Sequence, residues 1–338
     1  MKHLLAAASF LLAFPRLAGA APMRFGGWID VYPDVSQIEA HPELFDSVSL
    51  GMYGIRKDGR LQRSDRVPDR TAFMKWAREH SVKVFATLGC DKRDAPGCLE
   101  GKALDRCLAE TKAVCERLGF DGVDVDIEEL GPAARRPYLK FIKALRDALK
   151  AMQQPRTLSV TVQSFANAEE ESESFLDYSA LARLADEVRV MHYNCPWGEP
   201  GPIMPRADFA SNVAYARSRI PADKYVAAVP WYGMDWNVPD DESEDILWRM
   251  TDKETGLSSL NELVARYGGA PAWREPEGEL SFSYTAEGKW HEVWVPDAKS
   301  FDWMVDVIRK AGAAGVYAYQ LEYADPDCLA IVQEKVKR

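Results

Sequence analysis

The run Gly119-Phe-Asp-Gly-Val-Asp-Val-Asp-Ile-Glu128 puts a carboxylate at every second position, from Asp124 through Asp126 to Glu128. In a β-strand the side chains alternate between faces and rise about 3.3 Å per residue, so these three acids project together, roughly 6 to 7 Å apart. Val123, Val125 and Ile127 then face the other way, into apolar packing. Aligning three acids on one side of a hydrophobic strand costs desolvation and mutual repulsion, and both effects raise carboxyl pKa values. The pattern therefore predicts a catalytic acid that stays protonated. Two other readings fit it less well. A hard-metal site draws oxygen ligands from several loops or adds histidine, and His192 is the only histidine near a predicted strand end. A solvated edge strand has no need of Val, Val and Ile on its second face, or of Gly119 and Gly122. No metal and no cofactor are expected.

On either side of this strand, short β-rich runs alternate with runs of helical period. Strands are predicted at 25–31, 47–53, 83–88, 122–127, 158–163, 187–193, 225–231 and 315–320. The clearest helix follows the acid strand, where Tyr138, Phe141, Ile142, Leu145 and Leu149 recur at helical spacing and Pro132 suits the first turn. Others begin near Asp69, Lys102, Leu176, Asp208 and Ser300. Eight strands alternating with helices predict an α/β fold, a (β/α)8 TIM barrel. The interval 237–299 is too long for a strand-to-helix loop. It mixes a helical pattern at 257–267 with strand-like runs at 280–284 and 289–295, and predicts a small α+β insertion between the seventh strand and its helix. Residues 21–338 are thus expected to form one catalytic barrel.

Residues 1–20 read as an export signal: Lys2 and His3, an apolar run from Leu4 to Phe14, then Ala18-Gly19-Ala20 as a small-residue cleavage site. The apolar run is too short to span a membrane. A secreted or periplasmic location follows, or a lysosomal lumen in a eukaryote, with no membrane partner and a monomeric protein expected. Among 338 residues the formal net charge is −10, and loss of Lys2 and Arg16 makes it −12. Such a chain repels phosphate backbones, which excludes nucleic acid as the natural partner and suits a neutral substrate such as a sugar. Six cysteines are few for a disulfide framework. Cys107 and Cys115 lie about 12 Å apart along a predicted helix, too far to bond, whereas Cys90 and Cys98 flank one loop and are the expected bridge. Cys/His spacing for zinc is absent.

Barrels of this kind place their chemistry at the C-terminal strand ends. Glu128 sits at such an end, as do Tyr193 and Asn194, Trp231 and Tyr232, and Tyr319 with Gln320. Met191, Trp28 and Tyr53 complete the candidate substrate-binding set. Aromatic rings beside acids and amides suit carbohydrate, because apolar sugar faces stack on rings while hydroxyls hydrogen-bond.

The run Asp121-Gly-Val-Asp124-Val-Asp126-Ile-Glu128 resembles the signature of glycoside hydrolase family 18, the chitinases and their relatives. Met191-His-Tyr193-Asn194 is similar to that family's sixth-strand motif and Val229-Pro-Trp-Tyr-Gly233 to its seventh. The insertion, ending in His291-Glu-Val-Trp-Val-Pro-Asp297, resembles the family's own. Within the family, the layout and the run Pro230-Trp-Tyr-Gly-Met-Asp-Trp236 look most like the di-N-acetylchitobiase branch. Three positions depart from the family pattern: Asn194 stands where Asp is frequent, Tyr319 where Trp is common, and Thr87-Leu-Gly89-Cys90 where Ser-x-Gly-Gly is usual. Thr87 keeps a hydroxyl that could support Asp124.

The resemblance implies a substrate-assisted, retaining mechanism in which the sugar's own 2-acetamido group is the nucleophile, an exception to the two-carboxylate scheme. Glu128 would be the general acid, then the base. Asp126 would hold the acetamido N–H and share a proton with Asp124 or Glu128, and Tyr193 would orient the acetamido oxygen. The implied substrate is an N-acetylglucosamine-containing oligosaccharide with β-1,4 bonds, in chitin fragments or the chitobiose core of glycans. The alternatives are an endo-β-N-acetylglucosaminidase acting on glycoprotein N-glycans, or a chitinase-like carbohydrate-binding protein without catalysis. An intact Glu128, Asp126 and Tyr193 disfavours the last.

Overall fold

Eight segments of alternating or fully apolar pattern build eight parallel strands that close on themselves. The computed structural model describes residues 22–32, 34–193, 200–238 and 250–338. The segment read as an export signal lies outside them, as does Asn194. The strands are β1 (Arg24–Ile29), β2 (Ser47–Ile55), β3 (Lys83–Gly89), β4 (Gly122–Asp126), β5 (Thr157–Gln163), β6 (Glu187–Met191), β7 (Tyr225–Pro230) and β8 (Gly315–Tyr319). Each pairs in parallel with its neighbour in chain order, and β1 pairs with both β2 and β8, which closes a (β/α)8 TIM barrel. All eight predicted strands are present, within two residues at each end. Among the described residues no helix is long and apolar enough to cross a membrane.

A helix follows each strand: α1 (Ser36–Ala40), α2 (Thr71–Glu79), α3 (Gly101–Leu118), α4 (Arg135–Lys150), α5 (Tyr178–Leu184), α6 (Arg206–Arg219), α7 (Ala298–Ala311) and α8 (Pro326–Ile331). On α4 the residues of the apolar stripe, Tyr138, Phe141, Ile142, Leu145 and Leu149, are all fully buried against the barrel. Pro132 stands in a 3-10 turn before α4, not in its first turn. Gly119 ends α3 with φ 75°, a left-handed backbone that glycine adopts without strain, and turns the chain into β4. A capping box formed by Asp297 and Ser300 starts α7.

Strand alternation divides the apolar residues into two cores. Val123, Val125 and Ile127 join the large core between strands and helices. A smaller cluster of Trp28, Met191, Tyr193, Ile203, Val226, Ala228, Tyr232 and Tyr317 fills the inside of the barrel towards its C-terminal mouth. Close approach is built in at Gly122, where a Cβ would stand 2.4 Å from the Phe85 ring and 2.7 Å from the Thr157 carbonyl oxygen.

The insertion between β7 and α7 is more regular than its sequence suggests. Among the described residues its antiparallel sheet has five strands, in the order Met250–Thr255, Gly233–Val238, Lys289–Val295, Glu279–Ala286, Ala272–Arg274, and the helix Leu257–Tyr267 packs on it through Leu260. The first strand leaves β7 at Gly233, four residues before the predicted start. Glu279, fully buried, anchors the sheet by accepting the Ile203 and Met204 N–H groups at 3.0 and 2.9 Å. Burial pushes its pKa up to about 8, against the pull of those two bonds. The expected Cys90–Cys98 bridge is not formed: the thiols lie 3.3 Å apart, well beyond the roughly 2 Å of an S–S bond.

Gly122→Val drives a branched side chain into the Phe85 ring and a backbone carbonyl. It is expected to cost about 1 to 3 kcal/mol, and a urea-unfolding free energy equal to wild type would contradict this packing.

Candidate active site

The acid row of β4 points into the barrel, each member in a different environment. Asp124 is fully buried and receives three donors: Trp28 Nε1 at 2.8 Å, Thr161 Oγ1 at 2.9 Å and Arg189 Nη1 at 2.9 Å. Thr87 stands beside Asp124 in the β3–β4 register, but its hydroxyl does not reach that carboxylate. The supporting hydroxyl comes from the other side, from Thr161 on β5. Arg189, also fully buried, fastens its other nitrogens to Glu187 at 2.5 and 2.8 Å and lays its guanidinium 3.8 Å from the centre of the Tyr317 ring. Burial works against its charge, yet Asp124, Tyr317 and Glu187 together raise its pKa above the ordinary arginine value.

One layer higher, Asp126 has a carboxyl oxygen, Oδ1, that is buried without a hydrogen-bond partner among the described residues. Burial raises its pKa well above the usual carboxylate range, the charges of Glu128 and Asp124 add to the rise, and Arg189 opposes it. Glu128 follows the strand end and reaches solvent at the mouth. Its pKa is also raised, first by desolvation and then by Glu129. Glu129 itself is paired with Lys92 at 2.8 Å. The row thus grades from a paired anion at the bottom to an accessible, proton-holding acid at the top.

Opposite the acids stands an aromatic wall. Tyr193 lies parallel to Tyr319, with ring centres 5.9 Å apart and planes at 24°, and meets the edge of Tyr232 at 5.9 Å. Tyr232 and Trp28 each present an edge to Tyr319 at 5.4 and 6.2 Å. Burial, then the nearby Tyr232 and Asp126, keep the Tyr193 hydroxyl protonated far above neutrality. Met191 packs in the same cluster. Six of the predicted site residues are therefore placed besides the two deeper acids: Glu128, Tyr193, Met191, Tyr232, Tyr319 and Trp28 converge with Asp126 at the mouth.

Two predicted binding residues do not join them. Trp231 points outward and packs in the main core between Phe25 and Phe301, with ring centres at 5.6 and 5.4 Å. It is one residue out of phase with Tyr232. Tyr53 lies in the outer core as well, because a register irregularity between Leu50 and Tyr53 turns it away from the interior. There it lines a cavity with Arg63, Arg70 and Arg117. His192 also faces outward, its Nε2 2.7 Å from the Tyr225 hydroxyl, and burial lowers its pKa to about 3. Among the described residues no three His, Cys, Asp or Glu side chains converge as a metal site would require.

Sequence reasoning missed Arg189, Ser49, Thr161 and Tyr317, which line the interior beneath the acids. A signal for Arg189 was present. In Glu187-Val-Arg-Val-Met191 the polar residues alternate with valine, so Glu187 and Arg189 share the face of Met191 and Tyr193.

Comparison with known proteins agrees with this geometry. The model of the family "Glycosyl hydrolases family 18" matches residues 27–324. "Uncharacterized glycosylase YvbX" of Bacillus subtilis (strain 168) is 23% identical over 319 residues, which cover 90% of this chain and 88% of that one. Among solved structures, the spore cortex-lytic enzyme SleL of Bacillus megaterium QM B1551 superposes with a TM-score of 0.82 at 22% identity, covering 96% of this chain and 77% of SleL. The chitinase of Chromobacterium violaceum ATCC 12472 superposes with a TM-score of 0.81, also at 22% identity, covering 94% and 99%. Since the family model runs from the middle of β1 through β8, the chain belongs to glycosyl hydrolases family 18 and is a glycosidase on a chitinase-like barrel.

Proposed function

We propose that the protein is a retaining, substrate-assisted hydrolase of β-1,4 N-acetylglucosaminide bonds that acts on chitin-type oligosaccharides. The observation that carries this reading is the pairing of an accessible, proton-holding Glu128 with an Asp126 whose Oδ1 has no partner among the described residues. A neighbouring carboxyl that burial keeps protonated is a poor nucleophile, which suits a reaction in which the sugar supplies its own. Glu128 donates its proton to the glycosidic oxygen as the bond from C1 to that oxygen breaks. The acetamido carbonyl oxygen closes on C1, and its N–H is held by Asp126. Tyr193, whose hydroxyl is protonated, donates to the acetamido oxygen. Glu128, now a carboxylate, takes a proton from the water that opens the oxazolinium ring, so the anomeric configuration is retained. Tyr319, partly exposed and backed by the edges of Trp28 and Tyr232, offers an apolar surface to the sugar.

Relatives named as cortex-lytic enzymes make a spore cortex glycan the second candidate substrate. The run Pro230 to Trp236, by its likeness to di-N-acetylchitobiase, makes the chitobiose core of glycans the third. With the signal read at residues 1–20, the protein would meet any of these outside the cytoplasm. Products from chitotetraose, purified cortex glycan and a high-mannose glycopeptide, measured side by side, separate the three.

Glu128→Gln is expected to keep fold and binding while lowering turnover by roughly 10² to 10⁴; near-normal turnover sinks the assignment. Because the Glu128 pKa lies above its ordinary value, the acid form persists to higher pH, and kcat/KM is expected to fall on the alkaline side as Glu128 ionises. A thiazoline mimic of the cyclic intermediate should inhibit tightly, and efficient cleavage of cellobiosides, which lack the acetamide, would refute substrate assistance. The two faces of the mouth give a further contrast. Tyr193→Phe should cut turnover by about 10² without loss of stability, whereas Trp231→Phe should lower the unfolding free energy by about 1 kcal/mol and leave turnover intact. Equal effects on turnover would contradict the separation of these residues.

A further inference from the structure

The interior of the barrel beneath the acid row carries a chain of charges. Arg24, at the lower rim, pairs with Glu187 at 2.8 Å. Glu187 holds Arg189, and Arg189 holds Asp124 at 2.9 Å and the Ser49 hydroxyl at 2.6 Å. Ser49 in turn meets the Tyr317 hydroxyl at 3.0 Å. Two cations and two anions alternate up the axis, and Asp126 and Glu128 stand above them. A guanidinium does not titrate in the working range of any enzyme. Two of the three donors on Asp124, the Trp28 indole and the Arg189 guanidinium, both fall on Oδ2, and neither can accept a proton in return.

Resting on the proposed reaction, we infer that Arg189 is a positioning residue that pairs with Asp124 inside the barrel and so confines the working proton of the acid row to Asp126 and Glu128. Sharing of that proton between Asp126 and Asp124, one of the two arrangements the family resemblance allows, is thereby closed off in this chain. Every strand that faces Asp124 is consistent with this. β6 brings Arg189 and Glu187, β8 brings Tyr317, and β4 itself brings Asp126. β1, β2, β3 and β5 bring Trp28, Ser49, Thr87 and Thr161 with Ser159, none of which ionises near neutrality, and β7 contributes the apolar Val226 and Ala228. The fixed negative charge under Asp126 then helps that carboxyl keep its proton, together with the charges of Glu128 above it and of Asp30, just after β1.

The test is the pH profile of kcat/KM with a chromogenic chitobioside for wild type, Arg189→Met, Arg189→Lys and Asp124→Asn, beside Glu128→Gln. Without the guanidinium, the buried charge of Asp124 loses its counterion and is no longer held beneath Asp126, so the repulsion that favours a protonated Asp126 falls away. The last proton then leaves the upper pair at lower pH. The alkaline limb of Arg189→Met is expected to move acidward by about one pH unit, with KM changed less than kcat. Arg189→Lys, which keeps the charge, should restore the limb. Asp124→Asn leaves Arg189 tied to Glu187, and its limb should move the same way; it decides the matter if Arg189→Met does not fold. Limbs of both variants that superimpose on wild type would overturn the inference. Glu128→Gln keeps the two questions apart: if it retains turnover the proposed reaction fails, and if it loses turnover while the limbs stay fixed only the role of Arg189 fails.

Discussion

The ion pair between Arg189 and Asp124 is the constraint from which the rest of the interior follows. Both side chains are fully excluded from solvent, and either one alone would be a buried unpaired charge, a condition that costs about 3 to 5 kcal/mol in proteins where it has been created. Pairing alone does not suffice, because the remaining nitrogens of the guanidinium and the remaining lone pairs of the carboxylate must also be met. Glu187, Ser49, Trp28 and Thr161 meet them, from four different strands. Those strands are thus held in register by polar contacts as well as by the ladder of main-chain bonds, and the glycine at 122 leaves the Phe85 ring room below the guanidinium.

Above that fixed pair, solvent access rises with each step of the strand, and so does chemical freedom. Asp126 is partly exposed, with an Oδ1 that is screened from water and not hydrogen-bonded among the described residues, and Glu128 is open to the mouth. The three acids have nearly the same intrinsic acidity, so their different roles come from position alone. Desolvation and the neighbouring charges act on Asp126 from both sides, whereas Glu128 has desolvation and Glu129. An acid and a holder of the acetamide can therefore be made from one repeating pattern.

Much of this was legible in the sequence, and the failures have physical causes. Period-two patterning located all eight strands and set Asp124, Asp126 and Glu128 apart from Val123, Val125 and Ile127. The same rule, applied at the end of β7, separates Tyr232 from Trp231, since Val226, Ala228 and Tyr232 share the inner face and an odd step leads outward. Grouping the two aromatics by proximity alone was the error. Tyr53 is a different case. Alternation from Ser49 places it inside, and only the irregularity after Leu50, invisible without pairing partners, turns it out. The five-stranded sheet of the insertion was under-read because three of its strands, Gly233–Val238, Met250–Thr255 and Ala272–Arg274, are short or polar and acquire their pairing from non-local neighbours. Alternation with valine places Arg189 on the inner face, but it does not say what would neutralise a buried cation there; its complement, the acid two strands away, does.

The arrangement reduces to two strands that face each other across β5. β4 with the two residues after it supplies Gly122, Asp124, Asp126 and Glu128, and β6 with the two residues after it supplies Glu187, Arg189, Met191 and Tyr193. Each strand rises about 3.3 Å per residue, so Arg189 and Met191 stand roughly 7 Å apart on β6, as Gly122 and Asp126 stand roughly 13 Å apart on β4. Because each set belongs to one extended segment, the spacing between its members cannot drift. The proton donor and the tyrosine are thus placed relative to one another by the same guanidinium-to-carboxylate contact that neutralises the interior, and a geometry needed at the mouth is secured by a contact two layers below it.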